Sequence, residues 1–206
     1  MTIQMIRIAE DLLRRAAMAG RIIVAIAGPP GAGKSTFADQ LADALRASGN
    51  SAAIVPMDGF HMDDAVLREK GLLSRKGAPQ TFDLRGLLDI VRALRSGQEE
   101  VLVPLFDRDR ELAIAAARPV PPQVRFVLIE GNYLLLDEPD WTTLAGLIDR
   151  SIMLLPSEDV LERRLMRRWL DLGLDEDTAR SKVAENDLPN GRLVRTRSRK
   201  ADLTID

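Results

Sequence analysis

Apolar residues recur along the chain in two rhythms, and their alternation predicts the architecture. Ile3, Ile6, Ile8, Leu12, Leu13, Ala16 and Ala17 fall three and four apart, the period of an amphipathic helix, expected over residues 1–19. Arg21 to Ala27 is instead short, unbroken and rich in branched side chains, as in a strand buried on both faces of a parallel sheet. A glycine-rich turn leads to a helical pattern from Ser35 to Ala47, then to a strand from Ala52 to Met57 that ends at Asp58. Asp83 to Ser96 has a helical period, and Glu100 to Leu105, Val124 to Ile129 and Ser151 to Leu155 read as strands. Ser157 to Leu172 reads as a helix, Arg118 to Gln123 as a proline-rich connector, and Asp202 to Asp206 as a last edge strand. Such alternation predicts βαβ units and hence a three-layer α/β/α sandwich around a central parallel sheet. At 206 residues the chain fits one domain with a sizeable core.

Composition narrows the function classes. With 46% hydrophobic and 29% charged residues the chain is neither disordered nor membrane-embedded in character, and no apolar run is long enough to cross a bilayer. The first twenty residues mix acids and arginines with apolar residues, unlike a signal peptide, so a cytoplasmic location is the expectation. A net charge of −2 argues against nucleic acid or anionic lipid as the main partner. The absence of cysteine excludes disulfides, thiolate metal sites and thiol nucleophiles, and a single histidine, His61, cannot build a histidine metal cluster. Carboxylates, amines, guanidiniums, hydroxyls and a hard metal ion remain available.

Gly28-Pro29-Pro30-Gly31-Ala32-Gly33-Lys34-Ser35-Thr36 satisfies G-x-x-x-x-G-K-[ST] between a predicted buried strand and a predicted helix. In that context the backbone N–H groups converge on the phosphates of ATP at the positive end of the helix. Lys34 would reach the β and γ phosphates, and the Ser35 hydroxyl would be a ligand for Mg²⁺. The plainer alternative is a chance glycine-rich turn, which the flanking strand and helix make less economical.

Ligands of open parallel sheets lie beyond the carboxyl ends of the strands. Two acids stand there: Glu130, closing Arg125 to Glu130, and Asp58, in Met57-Asp58-Gly59-Phe60-His61. An acid directly after an apolar run, here Phe126 to Ile129, has the character of a Walker B carboxylate, which makes Glu130 the candidate Mg²⁺ ligand. Asp58 suits the base that takes the proton of an attacking hydroxyl while helping to position the metal. Either could instead be a solvated loop acid or a helix cap. His61 would bind substrate or simply pack.

Taken together these motifs resemble the uridine kinase, phosphoribulokinase and type I pantothenate kinase group of P-loop kinases. The resemblance extends from the P-loop to Met57–His61, to Lys76-Gly77-Ala78-Pro79-Gln80-Thr81-Phe82-Asp83, to Val103-Pro104-Leu105-Phe106-Asp107, to Glu130-Gly131 and to Ala201-Asp202-Leu203. It implies an ATP- and Mg²⁺-dependent transfer to a small hydroxyl acceptor, with Asp58, His61, Lys76, Phe82, Phe106, Asp107, Arg110 and Glu130 on the acceptor side. It also implies a homodimer. Where uridine kinases carry a histidine after the aromatic-Asp pair, this chain has Arg108-Asp109-Arg110-Glu111, a departure that argues against a nucleoside acceptor. As a whole the sequence is similar to bacterial proteins described as fructose transport system kinases, which implies a sugar such as fructose; nucleoside and pantothenate acceptors are the alternatives.

On the Ser157–Leu172 helix, Leu161, Leu165, Trp169 and Leu172 form one face, while Arg163 and Arg167, with Arg164 and Arg168 adjacent, form another. In the resembling kinases such a helix is a lid whose arginines close over the transferring phosphoryl group; this places a lid and its following helices in residues 157–190 and makes Arg163, Arg167 and Arg168 catalytic candidates. A solvated basic face is the bland alternative. Two other function classes stay open: a GTP-driven switch, for which Arg199-Lys200-Ala201-Asp202 is the nearest guanine-reading motif, and a non-catalytic P-loop module regulating a transporter.

Overall fold

The computed structural model describes residues 2–17 and 20–206; Met1, Met18 and Ala19, at the margins of the helix expected over 1–19, lie outside the described residues. Five parallel strands form the central sheet in the order β2-β5-β1-β6-β7. They are β1 (Ile22–Ala27), β2 (Ala52–Pro56), β5 (Phe126–Gly131), β6 (Arg150–Leu154) and β7 (Leu203–Ile205). Every residue of β1 and β5 is buried, because helices cover both faces. The side-chain alternation of β1 divides the core: Ile23, Ala25 and Ala27 enter one apolar cluster, Ile22, Val24 and Ile26 the other. Each fully buried branched side chain contributes about 1.5–3 kcal/mol.

One face is covered by α1 (Ile3–Ala16), α2 (Lys34–Ala47) and α5 (Glu158–Asp171), whose buried residues share a cluster. The other packs on α4 (Leu84–Ser96), a 3₁₀ turn (Trp141–Leu147) and α7 (Leu188–Arg197). α1 is capped by Thr2 Oγ1, which accepts from Met5 N–H at 3.3 Å. Its buried face is Met5, Ile8, Ala9, Leu12 and Ala16, whereas Ile3, Ile6 and Ala17 are exposed, a correction to the face read from the apolar residues alone.

A larger correction concerns the stretch around residues 100–120. β3 (Val101–Asp107) does not join the parallel sheet but forms an antiparallel hairpin with β4 (Leu112–Val120), which absorbs the start of the supposed connector at Arg118. β4 escapes a pattern reading because Ile114 to Ala117 are all exposed and mostly alanine, leaving no inside-outside alternation. The pairing slips between Val103 and Leu105, at Pro104, which has no N–H for the ladder, and Ala116 sits opposite this irregularity with φ 53°. Arg118 Nη1 donates to Ile54 O at 2.9 Å and ties the hairpin to the edge strand β2.

The remaining helices are α3 (Asp64–Glu69) and α6 (Glu176–Lys182), the latter continuing through a π turn (Val183–Asp187) into α7. No helix among the described residues is long and apolar enough to cross a membrane.

Candidate active site

The register of the sheet brings three strand ends together. Ala27 of β1 pairs with Gly131 of β5, and Pro56 of β2 pairs with Glu130, so the turns after β1 and β2 open at the same edge as Glu130. Gly131 is packed so closely on Met57 that an added Cβ would lie 2.3 Å from Met57 Cβ, which draws the Asp58 turn against β5. The turn after β1 ends at Gly33, whose φ of 90° suits glycine and sets the start of α2. No side chain caps that helix, which leaves its first N–H groups without a side-chain partner beside the cavity beyond the strand ends.

That cavity measures about 710 Å³ and is bordered at this end by Pro30, Gly31, Gly33, Lys34, Ser35 and Thr36. Lys34 is buried and its Nζ donates to Pro29 O at 3.0 Å. Burial pushes the Lys34 ammonium down, opposed by the charges of Glu130 and Asp58. Burial likewise pushes the Glu130 carboxyl up, opposed first by Lys34. Ser35 Oγ donates to Glu130 Oε1 at 3.1 Å. A buried carboxylate beside a hydroxyl is a hard oxygen donor pair, the type that suits Mg²⁺ when phosphate oxygens and water complete its shell.

Asp58, in a 3₁₀ turn (Met57–Phe60), also lines the cavity, and its Oδ2 lies 2.7 Å from Arg108 Nη2 at the tip of the β3–β4 hairpin. His61 is held between rings, its centroid 4.1 Å from that of Phe82 and 4.8 Å from that of Phe106. Its Nδ1 donates to Asp58 O at 2.8 Å. Lys76 Nζ contacts Asp64 Oδ1 at 2.7 Å and Glu111 O at 2.8 Å, and lies 5.4 Å from the centre of the Phe106 ring. His61, Lys76, Phe82 and Phe106 thus line the cavity together. Asp107 and Arg110 do not. Asp107 Oδ1 accepts from the N–H groups of Asp109 and Arg110 at 3.0 Å each, so it orders the hairpin turn, and the Arg110 side chain is 71% exposed beside it.

Among the arginines of α5 the placement separates the candidates. Arg168 lines the cavity, where burial and then the like charge of Arg108 lower its pKa. Arg163 and Arg167 are exposed, Arg167 pairing with Asp171 at 3.6 Å. Arg164, adjacent on the helix, places Nη1 3.3 Å from both Gly31 O and Ala32 O, against the P-loop. Leu172, expected on the apolar face, is 44% exposed because the helix has ended.

Several residues of the cavity wall and its support carried no signal in the sequence: Arg75, Asn186 and Asp187 line the cavity, whereas Tyr133 is fully buried and supports the lining residue Gly77. Arg75 donates to Glu185 O at 3.1 Å, Asn186 Nδ2 donates to Lys76 O at 2.9 Å, and Tyr133 OH donates to Gly77 O at 2.6 Å. These bonds join the 73–81 segment to the π turn and to the loop after β5. Asp187, in that π turn, accepts from Trp169 Nε1 at 2.7 Å, and burial raises its pKa. No local pattern marks this stretch in the sequence, because its π turn is visible only in the structure. Asp202, the acid of the supposed guanine motif, instead accepts from Ser151 N at 2.8 Å and Ser151 Oγ at 2.7 Å, joining β7 to β6.

Comparison with known proteins places this geometry. The model of the phosphoribulokinase / uridine kinase family matches residues 23–206. Uncharacterized protein YggC of Escherichia coli K12 is 34% identical over 188 residues, 90% of this chain and 78% of that one. Putative uridine kinase C227.14 of Schizosaccharomyces pombe is 32% identical over 179 residues, covering 82% and 76%. The crystal structure of a putative fructose transport system kinase from Silicibacter sp. TM1040 superposes over all of both chains with a TM-score of 0.93 at 47% identity. The central parallel sheet, the P-loop and the residues matched make the chain a small-molecule kinase, and it belongs to the phosphoribulokinase / uridine kinase family.

Proposed function

We propose that the chain transfers the γ-phosphoryl group of ATP to a hydroxyl of a small metabolite, with Asp58 as the base. The observation that carries this reading is the convergence of Lys34, Ser35, Glu130 and Asp58 at the carboxyl ends of β1, β5 and β2, beside the uncapped start of α2. The acceptor oxygen forms a bond to the γ phosphorus and gives its proton to the Asp58 carboxylate. The bond to the β,γ-bridging oxygen breaks, and its electron pair leaves with ADP. The transition state of such a transfer is loose, so the base positions the nucleophile and takes the proton late. Ser35 and Glu130 would hold Mg²⁺, whose charge offsets that of the phosphates when bound. Lys34 and Arg168 stabilise charge on the transferring group, and α5 with the helices through residue 190 acts as the lid.

A sugar is the acceptor suggested by the similarity to the fructose-system protein, and a nucleoside by the uridine kinase relative. Asp58→Asn tests the reading. Acceptor-dependent ADP release is expected to fall about a hundredfold or more while ATP affinity, measured by calorimetry, stays within about threefold. An unchanged rate removes Asp58 from the mechanism.

A further inference from the structure

The carboxylate that the transfer requires is held by a cation from outside the central sheet. Arg108 Nη2 lies 2.7 Å from Asp58 Oδ2, and both side chains line the cavity. The backbone fixes this meeting. Gly59, directly after Asp58, packs so tightly on the hairpin that an added Cβ would stand 2.5 Å from Pro104 O. Asp107 orders the turn on which Arg108 sits. A guanidinium has five N–H donors, and the bond to Asp58 is the one that Arg108 makes among the described residues. Its side chain remains 44% exposed, so donors are left for an incoming group. Arg75 adds a second charge to this end of the cavity, since its donors go to Glu185 O and Asn190 Oδ1 rather than to a carboxylate.

We propose that Arg108 selects acceptors bearing a carboxylate or phosphate, and that the acceptor's anion, by drawing the guanidinium away from Asp58, frees the base for the hydroxyl to be phosphorylated. The inference rests on the phosphotransfer reading above. A bidentate contact to the incoming anion replaces a single contact to Asp58, so the exchange is favourable only when the acceptor supplies the anion. A neutral acceptor has nothing equivalent to offer and leaves Asp58 paired. Arg108 neither gains nor loses a proton; the hydroxyl proton goes to Asp58 and the leaving electron pair to ADP.

Matched acceptor pairs test this in a coupled ADP assay at saturating Mg·ATP. They are pantothenate against pantothenyl alcohol, glycerate against glycerol, and fructose 6-phosphate against fructose, each with the wild type, Arg108→Ala and Arg108→Lys. The wild type should prefer the anionic member of at least one pair by roughly a hundredfold or more in kcat/KM. Arg108→Ala should erase most of that preference through KM for the anionic member, while turnover of the neutral member holds or rises, and Arg108→Lys should recover part of it. Preference confined to the first two pairs assigns a carboxylate, and preference confined to the third a phosphate. Acceptor-free ADP release should also rise in Arg108→Ala, because Asp58 is no longer paired. Equal use of neutral and anionic members, or an equal loss on both in Arg108→Ala with ATP affinity intact, overturns the inference and leaves the transfer reading standing. If Mg·ATP binds and neither class raises ADP release, both fall.

Discussion

The two ends of the cavity are built on different frames. At the end proposed to hold the phosphates, the P-loop follows β1 and Glu130 lies near the end of β5, adjacent strands in which every residue is buried. At the end proposed for the acceptor, the walls are a two-stranded hairpin, the 73–81 segment and a π turn, the last two tied to each other and to Tyr133 by side-chain bonds across 56 to 110 residues of sequence. A frame of backbone ladders holds its groups whatever the neighbouring side chains, whereas a frame of individual side-chain bonds can be re-cut one residue at a time. The first suits chemistry common to every acceptor, and the second suits the choice of acceptor.

The comparison breaks if a phosphate-end substitution proves selective. Lys34→Ala removes the buried ammonium beside Glu130 and should cost roughly 10³-fold in kcat/KM for every acceptor, with ATP affinity falling as well. A loss confined to one acceptor would place Lys34 at the wrong end. The next largest effect separates the arginines of α5. Arg168→Ala should lower kcat by about 10²-fold or more, because its charge is partly buried in the cavity. Arg163→Ala, exposed on the same helix, should stay within about twofold. Equal losses in single-turnover measurements would show that the helix acts through its stability rather than through the placement of one guanidinium.

The same division decides how much could be read beforehand. The strand before the P-loop, the Asp58 turn, Glu130 and the helix capped by Asp83 follow from local runs, since a doubly buried strand leaves an unbroken apolar string and a helix N-terminus leaves a cap. The β3–β4 hairpin left no such trace, because the exposed, alanine-rich half of β4 has no alternation to detect. The family resemblance set Asp107 and Arg110 on the acceptor side, whereas their hydrogen bonds serve the hairpin turn, and Arg108 between them carries the contact to Asp58. Helical spacing put Arg163 and Arg167 together with Arg164 and Arg168 adjacent, and the resemblance to lid-bearing kinases made Arg163, Arg167 and Arg168 candidates, but a period says which residues are neighbours and not which way the helix is rotated on the domain. Arg75, Asn186 and Tyr133 depend on contacts between segments remote in sequence, which no local pattern encodes.

The smallest expected effect sharpens the boundary between the two ends, where His61 stands. Its ring lies between Phe82 and Phe106, and its Nδ1 must carry a proton because Asp58 O can only accept. Burial lowers its pKa from 6.5, opposed by Asp58 and Glu111 and assisted by Lys76. The unfolded chain therefore takes up a proton at a higher pH than the folded one. In that window the unfolded state binds more protons, so stability falls as the pH drops below about 6.5 and is insensitive to this group above it. His61→Phe keeps an aromatic ring in the stack and removes the titration. The drop in urea midpoint between about pH 7.5 and pH 5.5 should then be smaller in His61→Phe than in the wild type, with the slope m unchanged. An equal drop in both proteins would place the acid sensitivity elsewhere in the chain, and His61 would be a packing residue whose charge state the fold does not control.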